Sequence, residues 1–206
     1  MNKLALSVQN PTSYLICMGI KTVENRTWKT DYRGRIYIHS SGTDEYPSLI
    51  DYPFPDKLGD SLENIVKEKD LNLNDNDDFD IICAKLKEKN LFEKYQETMI
   101  FSKKIAEYQE HLKRYYGVDL YREDFDDDNQ KKCVDIVKRK GYFHKNFSII
   151  GHVDLVDIVQ NSDSVWAEKG CYHWILRNPV LYKEPVLNVK GKLRLFDVSH
   201  IDMPDD

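Results

Sequence analysis

The chain contains no run approaching the roughly 18 apolar residues of a membrane span, and its first eight residues are too short and too weakly charged for a secretory leader. Those two absences lead us to expect a cytoplasmic protein. Cysteine is also scarce. Cys17, Cys83, Cys133 and Cys171 are far apart, with no C-x-x-C pair and no Cys/His cluster at zinc spacing, so reduced thiols are expected and no metal or cofactor is implied. An excess of basic charge is missing as well: Asp and Glu number 35 against 30 Lys and Arg, a formal net charge of -5. A wholly basic nucleic-acid coat is thereby excluded, and any affinity for phosphate must be local. No fixed-period repeat is present. The Asn72–Asp80 run lacks the Gly and Glu that an EF-hand loop requires at its sixth and twelfth positions, and Asp126–Asp128 reads as a solvated turn.

What is there is enough apolar residue, 41% of 206, to bury a core. Residues 3–8 alternate like a half-buried strand, and Asn10 followed by Pro11 predicts a capped helix start. That helix carries Tyr14, Leu15 and Met18 on one face and ends at Gly19, a residue suited to a left-handed terminus. An extended segment over 21–28, a turn at 30–34 and a strand over 35–40 are expected to form a hairpin.

From about residue 46 to 142 the alternation gives way to helical spacing: Leu62, Ile65 and Val66; Phe79, Ile82 and Leu86; Tyr95, Met99, Tyr108 and Leu112 up to Gly117; then Cys133, Ile136 and Val137 up to Gly141. This stretch holds 17 basic and 22 acidic residues and so carries the whole net charge. Strand texture returns over 148–159, 171–176 and 192–198, with turn signals at 161–163, at Asn178-Pro179 and at Gly191. The expected organisation is one β domain from 1–45 and 143–206, interrupted by a helical lobe over 46–142.

Residues Gly19, Lys21, Glu24 and Arg26 spell G-x-K-x-x-E-x-R, preceded by Gln9 and Pro11 and followed by Trp28, Arg33, Gly34, Ile38, His39 and Ser40. With Gly151, Asp154, Trp166, Gly170, Tyr172, His173, Trp174, Leu176, Pro185, Gly191, Leu195 and Phe196, this pattern resembles the ASCH family of the PUA-like superfamily. The resemblance covers about residues 1–41 and 147–198. It implies an α+β fold, a PUA-like β-barrel of the ASCH type, here with a large helical insertion. It also implies a cleft that accepts RNA or a modified nucleoside. Some relatives of similar fold cleave, as amidohydrolases or ribonucleases.

In an extended segment Thr22, Glu24, Arg26 and Trp28 share one face. Lys21 and Arg26 then flank a carboxylate, an arrangement suited to a phosphate beside a base edge. Residues 21–35 hold five basic and two acidic side chains, a local charge of +3. The alternative is a surface ion pair of small consequence. The expected nucleic-acid-binding residues are Lys21, Glu24, Arg26, Trp28, Arg33, Ser40 and Trp166, the tryptophans as stacking walls. Tyr172, Trp174 and Leu176 alternate onto one strand face as core. Three readings follow: a binding module for RNA or a nucleotide, a hydrolase, or a protein interaction module acting through the 46–142 lobe. No catalytic residue is identified; a hydrolase would draw on Lys21, Glu24 and His39 brought to one point. Glu24 stands where the amidohydrolase relatives have their threonine nucleophile.

Overall fold

The computed structural model describes residues 3–41, 79–88, 92–120, 126–141, 143 and 145–204. The positions Leu62, Ile65 and Val66 and the Asn72–Asp78 part of the acidic run lie outside the described residues. In chain order the elements are β1 (Leu4–Gln9), α1 (Thr12–Cys17), β2 (Val23–Arg26), β3 (Gly34–Ser41), α2 (Phe79–Glu88), α3 (Phe92–Tyr116), α4 (Asp127–Lys140), β4 (Ser148–Val159), β5 (Tyr172–Val186) and β6 (Leu195–Asp197). They fall into two compact units, one drawn from Met1–Pro53 and Gln109–Asp206 and one from Phe54–Tyr108. In the smaller unit, Leu86 of α2 and Ile105 and Tyr108 of α3 are buried.

The larger unit is built on one curled six-stranded sheet, a half-barrel, in the order β2-β5-β4-β3-β1-β6. Every described element between β3 and β4 in the chain is a helix, yet β3 and β4 pair directly, from Gly34↔Leu155 to Ser40↔Ser148. β1 runs parallel to β3 and antiparallel to β6. The alternation read in β1 is the alternation of faces. Leu6 and Val8 enter one core with Tyr14 and Ile16 of α1, Ile36, Ile38, Val153, Leu155, Trp174 and Leu176, while Ala5 faces a second with Tyr37, Ile149, Tyr182, Val189 and Phe196. Burying both faces of β1 and β3 makes them central strands.

Three local expectations are corrected. The 21–28 segment does not form a hairpin with 35–40: β2 pairs antiparallel with β5, and β3 lies between β1 and β4. The turn chemistry at 30–34 is real, but both edges of β3 are taken by longer ladders. Asn178-Pro179 is not a turn between strands. β5 runs through it to Val186, the β4 ladder steps from His152↔Val180 to Asp154↔Arg177, and the extra residues form a bulge with Asn178 at φ 48°. Asn10 does not cap α1, which starts at Thr12; its Oδ1 instead accepts from the hydroxyls of Ser13 (2.6 Å) and Ser40 (2.9 Å), two fully buried serines.

The helix ends are as the glycines indicate. Gly19, Gly117 and Gly141 all have positive φ, and the latter two donate back to Lys113 and Val137 carbonyls. In α4, Cys133 is fully buried and Asp126 caps the first turn. All four cysteines are free, and among the described residues no helix is long and apolar enough to cross a membrane.

Candidate nucleic-acid interface

Lys21 leaves the turn after α1, where its backbone N–H donates to the Leu15 carbonyl at 3.1 Å. Glu24 sits opposite Trp174 in the β2–β5 ladder, so both side chains project from the same sheet face. Trp174 is wholly buried there. A carboxylate on that face must be paired, and it is: Lys21 Nζ lies 3.2 Å from Oε2 and Arg26 Nη2 lies 3.0 Å from Oε1. The Lys21 and Glu24 side chains are each 9% exposed, which removes the surface-pair alternative for them. Lys21 Nζ also donates to the Val23 carbonyl at 2.6 Å and stands 5.8 Å from the centre of the Trp166 ring.

Trp166 is held in place by Asn25, whose Nδ2 donates to the Trp166 carbonyl at 2.8 Å while its Oδ1 accepts from the Glu168 N–H at 3.1 Å. The 166–168 loop is thus clipped onto β2. His173 secures the other end: its Nδ1 accepts from the Ser162 N–H, so its proton is on Nε2, which donates to the Glu168 carbonyl at 2.9 Å. His173 is a structural clamp.

Arg26 faces outward by comparison. Its Nη2 donates to the Ser7 carbonyl of β1 at 2.8 Å as well as meeting Glu24. β2 is one edge of the open sheet and β1 lies next to the other edge, so this bond spans the seam of the half-barrel. A second arginine spans it too. Arg194, immediately before β6, places its guanidinium carbon 5.8 Å from the centre of the Trp28 ring, two residues past β2. Trp28 in turn makes an edge contact with Trp174 at 4.7 Å between ring centres and accepts at its carbonyl from the Trp174 indole N–H. The sheet edges meet through side chains, not through a backbone ladder.

Lys21, Glu24, Arg26 and Trp166 therefore come together, and Trp28 lies on the same seam. Arg33 and Ser40 are elsewhere. Arg33 donates to the Thr30 and Tyr32 carbonyls and pairs with Asp157 of β4 at 3.5 Å. Ser40 is fully buried in the cluster with Asn10 and Ser13, where Asn10 also donates to Asn146.

His39 reaches the Lys21–Glu24–Arg26 group only indirectly. Its Nε2 meets the Val189 carbonyl at 2.8 Å and its Nδ1 meets Ser7 Oγ at 3.2 Å, while Ser7 is the residue whose carbonyl holds Arg26. Burial pushes the His39 imidazole below its ordinary range, against the raising effect of the bond to Val189. Lys21, Glu24 and His39 do not share one point.

Reading the residues alone left out Ser7, Asn25 and Arg194. Ser7 is marked only as a polar position in the β1 alternation. Arg194 lies just before the apolar Leu195-Phe196 pair and becomes relevant only once the seam is seen.

No curated protein matches the chain. A family model described as the ASCH domain matches residues 6–184, most of the chain and all of the seam on its β2 side. This chain belongs to the ASCH domain family.

Proposed function

We propose that this protein binds RNA, or a nucleotide, at the seam of its half-barrel, with Arg26 as the principal phosphate contact and Lys21 supporting the field. ASCH domains are a PUA-like family with an RNA-binding type of fold, and the local chemistry fits that class. The observation that carries the reading is the state of the Arg26 guanidinium. Its side chain is 24% exposed, Nη2 is its one engaged nitrogen, and Nε meets no acceptor among the described residues. A buried N–H without an acceptor is uncommon and marks a guanidinium whose hydrogen bonding is incomplete; a phosphate docked on its exposed end adds charge-assisted bonds there. Glu24 holds the two cations in register. Trp28, partly exposed, gives flanking aromatic surface of the kind used in single-strand recognition, while Trp166, expected as a second stacking wall, is buried and backs Lys21 instead.

On the same reading, residues 46–142 are an insertion within the β domain, supported by the direct pairing of β3 with β4 on either side of it. No specific observation favours the hydrolase or the interaction-module reading over this one.

The experiment is a titration of the wild type, Lys21→Ala and Arg26→Ala with short single-stranded RNA, single-stranded DNA and free nucleotides at several salt concentrations. Removing one phosphate-binding cation is expected to make the slope of log affinity against log salt shallower by about 0.7. Equal binding by all three folded proteins, or binding by none, overturns the proposal.

A further inference from the structure

The segment from Lys190 to Arg194 is anchored at two points, on Ser7 of β1 and His39 of β3. Ser7 Oγ donates to the Lys192 carbonyl at 3.1 Å, and Gly191 packs so closely that a Cβ there would lie 2.5 Å from His39 Cε1. The β1–β6 ladder pairs Leu6 with Leu195, so Arg194 comes next to Ser7, the residue that also receives Arg26. The Arg26 guanidinium thus meets the β1 residue beside which the backbone of Arg194 runs, and the Arg194 side chain turns to Trp28.

Arg194 has features that its neighbours do not require. Its φ is 59°, a left-handed conformation that is unfavourable for a residue with a Cβ and that persists where the surroundings hold it. Its guanidinium lies over Trp28, and among the described residues none of its N–H groups meets an acceptor. A cation–π contact at this distance is made by the charge of the guanidinium and leaves its N–H donors available. Beside it, Leu193 is 94% exposed at the tip of the segment. Lys190, Lys192 and Arg194 add three positive charges in five residues with no acid among them.

We propose that Arg194 is a second phosphate-binding residue, and that the ligand of the seam is consequently a single strand of two or more nucleotides, not a mononucleotide. This rests on the reading of Arg26 given above. One phosphate is held by Arg26 and the next by Arg194, with Trp28 fixing the direction of the Arg194 donors. The two guanidinium groups are engaged at separate places, Arg26 on Ser7 and Glu24 and Arg194 over Trp28, so each takes its own phosphate.

The test uses Arg194→Gly, because glycine accepts the left-handed backbone and spares the fold, together with Arg194→Lys. A 5′-mononucleotide and a five-residue single-stranded RNA are titrated into the wild type, both variants and Arg26→Ala. Arg194→Gly is expected to bind the oligonucleotide about tenfold more weakly, with a salt slope shallower by about 0.7, and to bind the mononucleotide within about twofold of wild type. Arg194→Lys recovers the slope but only part of the affinity, because it keeps the charge and loses the planar fork. Equal weakening for both ligands, or none for either, overturns the proposal while leaving the Arg26 reading intact if Arg26→Ala is impaired. A wild type that binds neither ligand overturns both.

Discussion

Arg26 donates through Nη2 to the carbonyl of Ser7 at 2.8 Å, and the two residues come from opposite sides of an open sheet. The same nitrogen lies 3.0 Å from Glu24, whose other oxygen is held by Lys21. The side chains that close the half-barrel are therefore those that present positive charge along its seam.

Removing the carboxylate leaves Lys21 buried without its counter-charge, so Glu24→Ala is expected to cost about 3 kcal/mol in urea denaturation at unchanged m. Lys21→Met combined with Glu24→Leu should cost less than Glu24→Ala alone, because no buried charge is then stranded. Glu24→Gln keeps one acceptor and should fold. A loss below about 1 kcal/mol for Glu24→Ala would identify a solvent-screened pair.

Gly191→Ala drives a methyl group into His39 and into Ser7 Oγ, 2.9 Å away, and is expected to destabilise by about 1–3 kcal/mol. Adding His39→Ala should recover part of that loss, a negative coupling readable in a double-mutant cycle. Gly151→Ala is a harsher change. Its Cβ would stand 2.0 Å from the Val180 carbonyl, backbone at the β5 bulge, so Cys17→Ala cannot relieve it even though Cys17 Sγ is also within 2.9 Å.

His39 is held below its ordinary value of 6.5 in the folded protein, chiefly by burial. The unfolded chain then binds more protons between the two values, so this residue's contribution is fully present above about pH 6.5 and declines as pH falls toward the folded value. Thermal or urea unfolding from pH 8 to 5 should show a component of at most about 1.4 kcal/mol per pH unit. His39→Gln should remove it; an unchanged pH dependence in that variant refutes the assignment.

Cys17 and Cys133 are buried, and burial raises both thiols. Cys83 and Cys171 are half-exposed. Native titration with a thiol-reactive chromophore should label no more than two cysteines quickly, the other two reacting only on unfolding, since the thiolate is the nucleophile. Rapid reaction at Cys17 contradicts the packing of α1 against the sheet.

Much of the architecture was readable in one dimension because local periodicity reports burial. The β1 segment is a strand, though buried on both faces and not half-buried as its alternation indicates; the glycines after α1, α3 and α4 terminate those helices, and 148–159 is a strand from end to end. The G-x-K-x-x-E-x-R spacing likewise places Glu24 and Arg26 on one strand face, where their side chains do meet. These are properties of a few neighbouring residues. Their physics is short in range.

Partner choice was decided by tertiary structure. The 30–34 turn signals a hairpin, but β2 gains more by covering β5 at Trp174 and Ile175, and β3 is claimed on both sides by β1 and β4. Asn178-Pro179 has the composition of a turn, but the long β4 ladder absorbs it as a bulge. The tryptophans divided in a way that composition does not distinguish: Trp174 filled the core, Trp166 became the wall beside Lys21, and Trp28 came under Arg194. Arg26 meets Ser7, and Arg194 meets Trp28, only through the curl of the sheet. The sequence by itself determined where most strands begin and which side chains share a face, because those depend on neighbouring residues; the tertiary structure alone decided how far β5 runs and which edges face one another, because that depends on the burial of the whole sheet.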